Sequence, residues 1–412
     1  MISKKYKELM KKLRFVLVAI FIYRIGAHIT VPGINSFQFY IFFKENSAIS
    51  LFNMFSGGAL ERMSIFSLGL MPYISASIIM QVITGMFLDG EVSQKKITKY
   101  LRYSTFILAV IQAIGIAFGL VGNKIVYYKC GIFYLTIILT FVTGSIFLMW
   151  LGEQITDKGI GNGISLIILS SLVSGIPKAL GKIFYLTNKD SSWNYIPILQ
   201  LLILVMITII IVVVIESGQR RIKVNYPRRL IGNKMYASQS SYLPLKLNMA
   251  GVIPAIFSSS ILFFTASLGQ WINQSTIPPL SPGQPLYIIL FVLSVIFFSF
   301  FYTAMVFNSK EVSINLKKSG AFIPGIRPGE NTAVYIDKVT NRLTLFGAIY
   351  IVFFSLIPQI IMVYCKIPFC GGGTSILIMV VVVLDFLSQI QSFLMSNKYE
   401  MVRNKHRYKI DT

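Results

Sequence analysis

Histidine is the side chain that proton-transfer and metal chemistry draw on most, and this chain has only two, His28 and His406, near opposite ends of its 412 residues. No metal-binding group and no Ser-His-Asp arrangement can be assembled from neighbouring positions. Cys130, Cys365 and Cys370 are too few for a disulfide framework. The stretch from Gly175 to Lys182 comes close to a phosphate-cradling loop. One residue too many separates its glycines, however, and Ile183 stands where a Ser or Thr is required. Nothing here encodes an ATPase or another enzyme, and no cofactor or metal is expected.

The remaining chemistry is that of charge and polarity in unusual company. Arg24 and Asp385 are nearly the only ionisable residues within long apolar runs. An ion-coupled transporter usually buries carboxylates or histidines near the midplane of the membrane. The expectation here is that Asp385 pairs with a neighbouring helix, and that Arg24 snorkels or meets backbone carbonyls. Ser75, Ser77, Gln81 and Thr84 stud an otherwise apolar segment opened by Pro72. It follows a break at Gly57-Gly58 and a half-polar stretch, Ala59 to Ser67. Two readings fit: a broken helix lining a cavity, or a proline-started span after an ordinary surface loop. Two further segments, QRRIKVNYPRRLIGNK (219–234) and LKKSGAFIPGIRPGE (316–330), are basic. Such loops act as topology signals, and together they also form a patch suited to rRNA phosphates or an acidic partner.

The elements that must position these residues follow from composition. Hydrophobic residues make up 55% of the chain and charged residues 13%, and the mean hydropathy is +0.70. A soluble fold could not cover so much apolar surface with so few charges, so lipid must be part of the solvent. Apolar runs predict ten spanning helices at about 14–31, 68–88, 103–122, 132–151, 163–181, 196–215, 250–272, 286–306, 343–363 and 375–395. The basic, then apolar N-terminus has no small-x-small cleavage site after it and is expected to stay attached as the first span.

The net charge of +23 is distributed unevenly. Segments 1–14, 89–102, 152–162, 216–249, 307–342 and 396–412 hold 29 of the 38 Lys and Arg residues, while the alternate segments hold 8. Retention of basic loops on the inner side therefore predicts that both termini are cytoplasmic. The chain divides near residue 195 into halves of five spans, 1–195 and 196–412. Because five is odd, the halves must be inverted copies if they share a fold.

Seven stretches carry a resemblance. MFSGGALERMSIFSLGLMPYISASIIMQ, FLMWLGEQITDKGIGNGIS, GQRRIKVNYPRR, LPLKLNMAGVIPAIF, SPGQPLY, NLKKSGAFIPGIRPGE and GGTSILIMVVVVLDF occur in order over about residues 14 to 400. Together they resemble the proteobacterial SecY family of protein-conducting channels. The Ile-, Lys- and Phe-rich wording hints at an AT-rich genome such as an endosymbiont's.

The resemblance implies an all-α membrane protein with ten transmembrane helices in two inverted five-helix halves and a short plug helix. It implies a pore ring of Leu70, Ile74, Ile168, Ile256 and Ile378, which composition alone would read as plain apolar helix residues. It further implies a plug at about 56–67, with Gly57, Gly58, Glu61, Arg62 and Phe66, and a lateral gate at Ser75, Ser77, Gln81 and Phe264. Arg220, Arg221, Arg228, Arg229 and Arg327 would contact the SecA ATPase and the ribosome. The other implied partners are the small membrane subunits SecE and SecG, signal sequences, unfolded preproteins and the lipid bilayer, at the bacterial inner membrane. Three features depart from the family pattern: short loops at 89–102 and 273–285, cysteines at 365 and 370, and the charged pair Glu61-Arg62 in the plug. A small-solute transporter and an insertase without a vectorial pore are the competing readings.

Overall fold

The structure, a computed structural model, describes residues 2–34, 39, 56–87, 94–122, 131–177, 181, 196–226, 229–231, 234–236, 240–262, 284–365 and 373–410. A helix stands at each of the ten places where a span is expected. They are α1 (Ile2–Gly26), α2 (Met71–Phe87), α3 (Gln94–Gly122), α4 (Gly131–Lys158), α5 (Gly163–Val173), α6 (Ile196–Ser217) and α7 (Ile253–Leu262). After these come α8 (Pro285–Val306), the short α9 (Ser309–Lys318), α10 (Glu330–Cys365) and α11 (Gly373–Ile410). Five of the described helices are individually long and apolar enough to cross a membrane.

The first helix shows how these faces are divided. Val16, Ala19, Tyr23 and Ala27 recur at helical spacing and are buried, whereas Leu17, Phe21 and Ile25 point outward from the protein. Apolar faces of this extent persist only where lipid covers them. Some helix ends run past the expected spans, α10 starting at Glu330 rather than near 343 and α11 continuing to Ile410, while others stop short, α1 at Gly26 rather than 31 and α5 at Val173 rather than 181. Phe264, Cys370 and the outer loop up to 283 lie outside the described residues, with Gln284 and Pro285 opening α8, and of loop 89–102 the part from Gln94 belongs to α3.

In the N-terminal half α1 packs on α4 and α5, α2 on α3 and α4, and α3 on α4. Elsewhere α8 and α9 pack on α10, and α11 on α10. The final helix also meets α5 and α6. The corner between α4 and α5 is closed by polar contacts. Asn162 caps α5 by accepting from the Ile164 amide at 3.2 Å, and the Gly163 amide donates to Thr156 Oγ1 at 2.9 Å. A Cβ at Gly163 would sit 2.0 Å from the Gly152 carbonyl oxygen, so only glycine lets α5 approach this closely.

Among the described residues four strands stand outside the helices: β1 (Gln219–Asn225), β2 (Arg229–Ile231), β3 (Lys234–Tyr236) and β4 (Ser240–Lys246). The basic loop lies within a hairpin that extends beyond its charged stretch. Its arms are β1 and β4, paired antiparallel from Gln219↔Lys246 to Asn225↔Ser240, and β2 pairs with β3 between them.

One expected element differs. The plug stretch contains no regular helix; from Ser56 to Leu70 it is a succession of turns. Gly57, Gly58, Met63 and Gly69 all have positive φ, at 67°, 80°, 47° and 57°, which an α-helix cannot absorb.

Candidate channel site

The plug stretch is held by backbone pairing and by stacking. The Val31 amide donates to the Met63 carbonyl at 2.8 Å, and the Ile65 amide to the Ile29 carbonyl at 3.0 Å, so the segment lies strand-like along the end of α1. Internally, Ser67 Oγ donates to the Ser64 and Ala59 carbonyls at 2.5 and 3.1 Å. Phe66 is sandwiched between Tyr23 and Phe147, with ring centroids 6.0 and 5.9 Å away and nearly parallel planes. Two glycines make room for it: a Cβ would meet the Phe66 ring at 2.1 Å from Gly26 and the Ile65 carbonyl oxygen at 2.2 Å from Gly144. Glu61 and Arg62 are partly exposed, and an Arg62 guanidinium nitrogen lies 2.6 Å from His28 Nδ1.

The five expected ring residues come together in one apolar cluster. Leu70, Ile74, Ile168 and Ile378 are 6%, 5%, 5% and 0% exposed, and Ile256 packs against the same group while partly buried. They are contributed by the entrance to α2 and by α2, α5, α7 and α11, so helices far apart in sequence supply this cluster. Val252, Phe257 and Leu262 of the seventh span's segment share the cluster with Ile74 and Ile78 of α2. Across that seam Ser260 Oγ lies 3.7 Å from Met71 Sδ. Ser75, Ser77 and Gln81 are half-buried along α2, and Ser77 Oγ donates to the Ile74 carbonyl at 2.7 Å.

On the expected cytoplasmic face Arg220, Arg221 and Lys223 are exposed on β1 while Ile222 and Val224 turn inward. The inward pair packs with Leu245, Ala321, Ile323 and Ile336 in a separate apolar cluster. Asn225 and Phe322 exchange backbone hydrogen bonds at 2.9 and 3.0 Å, which joins the hairpin to the second basic loop. Arg327 is exposed in a turn flanked by Gly325 and Gly329 at positive φ, and its carbonyl accepts from Thr332 Oγ1 at 2.9 Å. Arg229 belongs to β2, and Arg228 lies outside the described residues.

Of the two in-span charges, Arg24 meets a backbone carbonyl as expected, whereas Asp385 pairs with β4 of the hairpin and not with a neighbouring helix. Asp385 Oδ1 lies 3.7 Å from Lys246 Nζ, an exposed pair worth at most about 1 kcal/mol. Arg24 donates to the Gly57 carbonyl at 3.2 Å. Sequence reasoning missed that Tyr23, Ser174, Gly26 and Gly144 also shape the plug's seat; of these contacts, only the in-span position of Arg24 gave a signal.

Comparison with known proteins agrees with this architecture. The SecY family model matches residues 64–387. The protein translocase subunit SecY of Pseudomonas aeruginosa is 52% identical, with 98% of this chain and 95% of that protein covered. The same subunit of Escherichia coli K12 is 48% identical over 98% and 95%, and that of Buchnera aphidicola from Schizaphis graminum 46% over 98% and 96%. Among solved structures, a protein-conducting channel superposes with a TM-score of 0.71 at 18% identity, covering 94% of this chain and 93% of that one. Sec61 in the canine ribosome–channel complex gives 0.68 at 17% identity, with the same coverage. At these identities the two structures speak for the fold alone.

Proposed function

We propose a working cycle from one premise: this chain belongs to the SecY family. It is the pore-forming subunit of a protein translocase and not an enzyme. Unfolded polypeptides pass through it across the membrane, and apolar helices leave it sideways into lipid. The observation that carries this reading is that Leu70, Ile74, Ile168, Ile256 and Ile378, from five separate places in the chain, share one apolar cluster. A closed ring of branched apolar side chains sheds water and blocks ions, yet its side chains can flex around a peptide.

The turns from Ser56 to Ser67 are the plug that backs the ring on the outer side. The lateral gate lies between α2 and α7, lined by Ser75, Ser77, Gln81 and Phe264. The half-burial of the three polar residues on α2 supports that role, since they weaken an otherwise apolar seal. Residues 1–195 and 196–412 move apart as two halves when a signal sequence intercalates. Arg220, Arg221, Arg228, Arg229 and Arg327 receive SecA and the ribosome; the exposure of Arg220, Arg221 and Arg327 favours this. SecE and SecG complete the assembly in the bacterial inner membrane. Cytoplasmic placement of both termini rests on the excess of basic residues in one set of loops. A coupled transporter is disfavoured by Asp385, its one candidate in-span carboxylate, which lies exposed beside Lys246.

Reconstitution of the chain with SecE and SecG in liposomes, followed by addition of SecA, ATP and a preprotein, tests the reading. ATP-dependent protection of the preprotein from external protease is the expected result. Its absence, with the complex assembled, would refute the function.

A further inference from the structure

An arginine in a membrane span is costly, so the use it is put to is informative. Arg24 spends its guanidinium on main chain: it donates to the backbone carbonyl of Gly57, 33 residues away and at the root of the plug. Ser174, at the C-terminal cap of α5, has its hydroxyl 3.0 Å from the same carbonyl and 2.7 Å from that of Ser171, and shares its one proton between them. Tyr23, adjacent to Arg24 and 2% exposed, donates to the preceding carbonyl, that of Ser56, at 3.2 Å. Two consecutive plug carbonyls are thus held by three side chains from two helices. The backbone bends to present them, with Gly57 at a φ of 67°. Any Cβ there would meet Tyr23 Oη at 2.8 Å and Ser171 Cα at 3.0 Å, so the seat is built around a bare glycine. Ser56 Oγ completes it by accepting from the Leu60 amide at 3.2 Å.

We propose that Tyr23, Arg24 and Ser174 form a latch that grips the root of the plug and holds the idle channel shut. This inference rests on the channel reading above and assigns its closed state to particular positioning residues. The latch has a built-in release. Its Ser174 arm is carried by α5, and α5 also packs against α11 from the other half of the chain. A shift of α11 that carries α5 with it pulls one donor from the Gly57 carbonyl before anything touches the plug. Arg24 contributes most, since hydrogen bonds from charged donors in a poorly solvated site are about twice as strong as neutral ones.

The test compares Arg24→Gln, Arg24→Lys and Ser174→Ala in the assembled channel complex, measuring idle ion conductance in planar bilayers and SecA-driven export in liposomes. Removing the Arg24 charge is expected to raise idle conductance about tenfold or more, and removing the Ser174 hydroxyl about threefold, with export retained. Lysine, which keeps a cationic donor, should restore most of the seal. The double variant Arg24→Gln/Ser174→Ala should leak less than the product of the single effects, because both donors share one acceptor. Conductance within twofold of wild type in both single variants overturns the latch. So does a leak accompanied by lost export, which would mean that the residues support the fold as a whole. Failure of the wild-type complex to export refutes the channel reading instead, so the two failures are distinguishable.

Discussion

Gly144 offers a direct way to push the plug from behind. It lies on α4, buried, and a Cβ there would come 2.2 Å from the Ile65 carbonyl oxygen and 3.0 Å from its carbonyl carbon. Ordinary contact begins near 3.4 Å, so Gly144→Ala requires the plug backbone to retreat by about 1.2 Å. The obstacle is main chain and cannot rotate away as a side-chain tip would. Overpacking of this kind costs about 1–3 kcal/mol, and the cost falls on the seated plug alone. The population with a displaced plug should therefore rise by roughly 5- to 150-fold, at about 1.4 kcal/mol per tenfold. The helix itself should not suffer, since Ala is favoured over Gly in a helix by about 1 kcal/mol. The assay is idle ion conductance of the assembled complex across a planar bilayer, with Gly131→Ala as control because a Cβ there meets nothing within 4 Å. The expected order is wild type, Gly131→Ala and then a clear step to Gly144→Ala, with Gly144→Val higher still. If Gly144→Val conducts no more than the control, the plug is not seated against α4 in the way described.

Replacing Ile74 and Ile256 with Asn should make the idle channel leak by at least tenfold, because an amide in the constriction rewets it; unchanged conductance would remove both residues from the ring. Cysteines at Met71 and Ser260, whose native side-chain tips lie 3.7 Å apart across the α2–α7 seam, should be joined in the idle state by a short, reducible bifunctional thiol reagent, abolishing export until reduced. Export that persists through the crosslink would mean that this seam need not open. Arg327→Glu should cut SecA-driven export by tenfold or more without lowering thermal stability, since the residue is exposed in a turn. Lys246→Glu should change stability by less than about 1 kcal/mol in a thermal melt, and a larger loss would show that its pairing with Asp385 matters more than its exposure allows.

The spans were legible in the sequence because lipid enforces a simple rule: an apolar run of sufficient length must be a helix that satisfies its own backbone. Their ends were not. Hydropathy marks the edge of the bilayer, whereas backbone hydrogen bonding continues into water, as α10 from Glu330 and α11 to Ile410 illustrate. The proposed ring residues can be named only through family resemblance, since Ile168 or Ile378 alone is an apolar residue on an apolar helix. The expected plug helix failed on local grounds, because Gly57, Gly58, Met63 and Gly69 all take positive φ. The fate of Arg24 was half legible. Its position in a span marked it as unusual, but its acceptor is a backbone carbonyl 33 residues away, and a carbonyl leaves no signature in a sequence.

The exchange of hydrogen bonds between Asn225 and Phe322 joins two loops that sequence presents as separate. With Ile222, Val224, Leu245, Ala321, Ile323 and Ile336 packed beneath them, the loops form one stiff body. That body is rooted at one end in α6, through β1, and at the other in α10, through Ile336. A load applied at the hairpin tip therefore acts as a torque on both roots together. A motor or a ribosome pressing there would work a lever with two fulcrums, and where along the arm it pressed would decide which helix moved first.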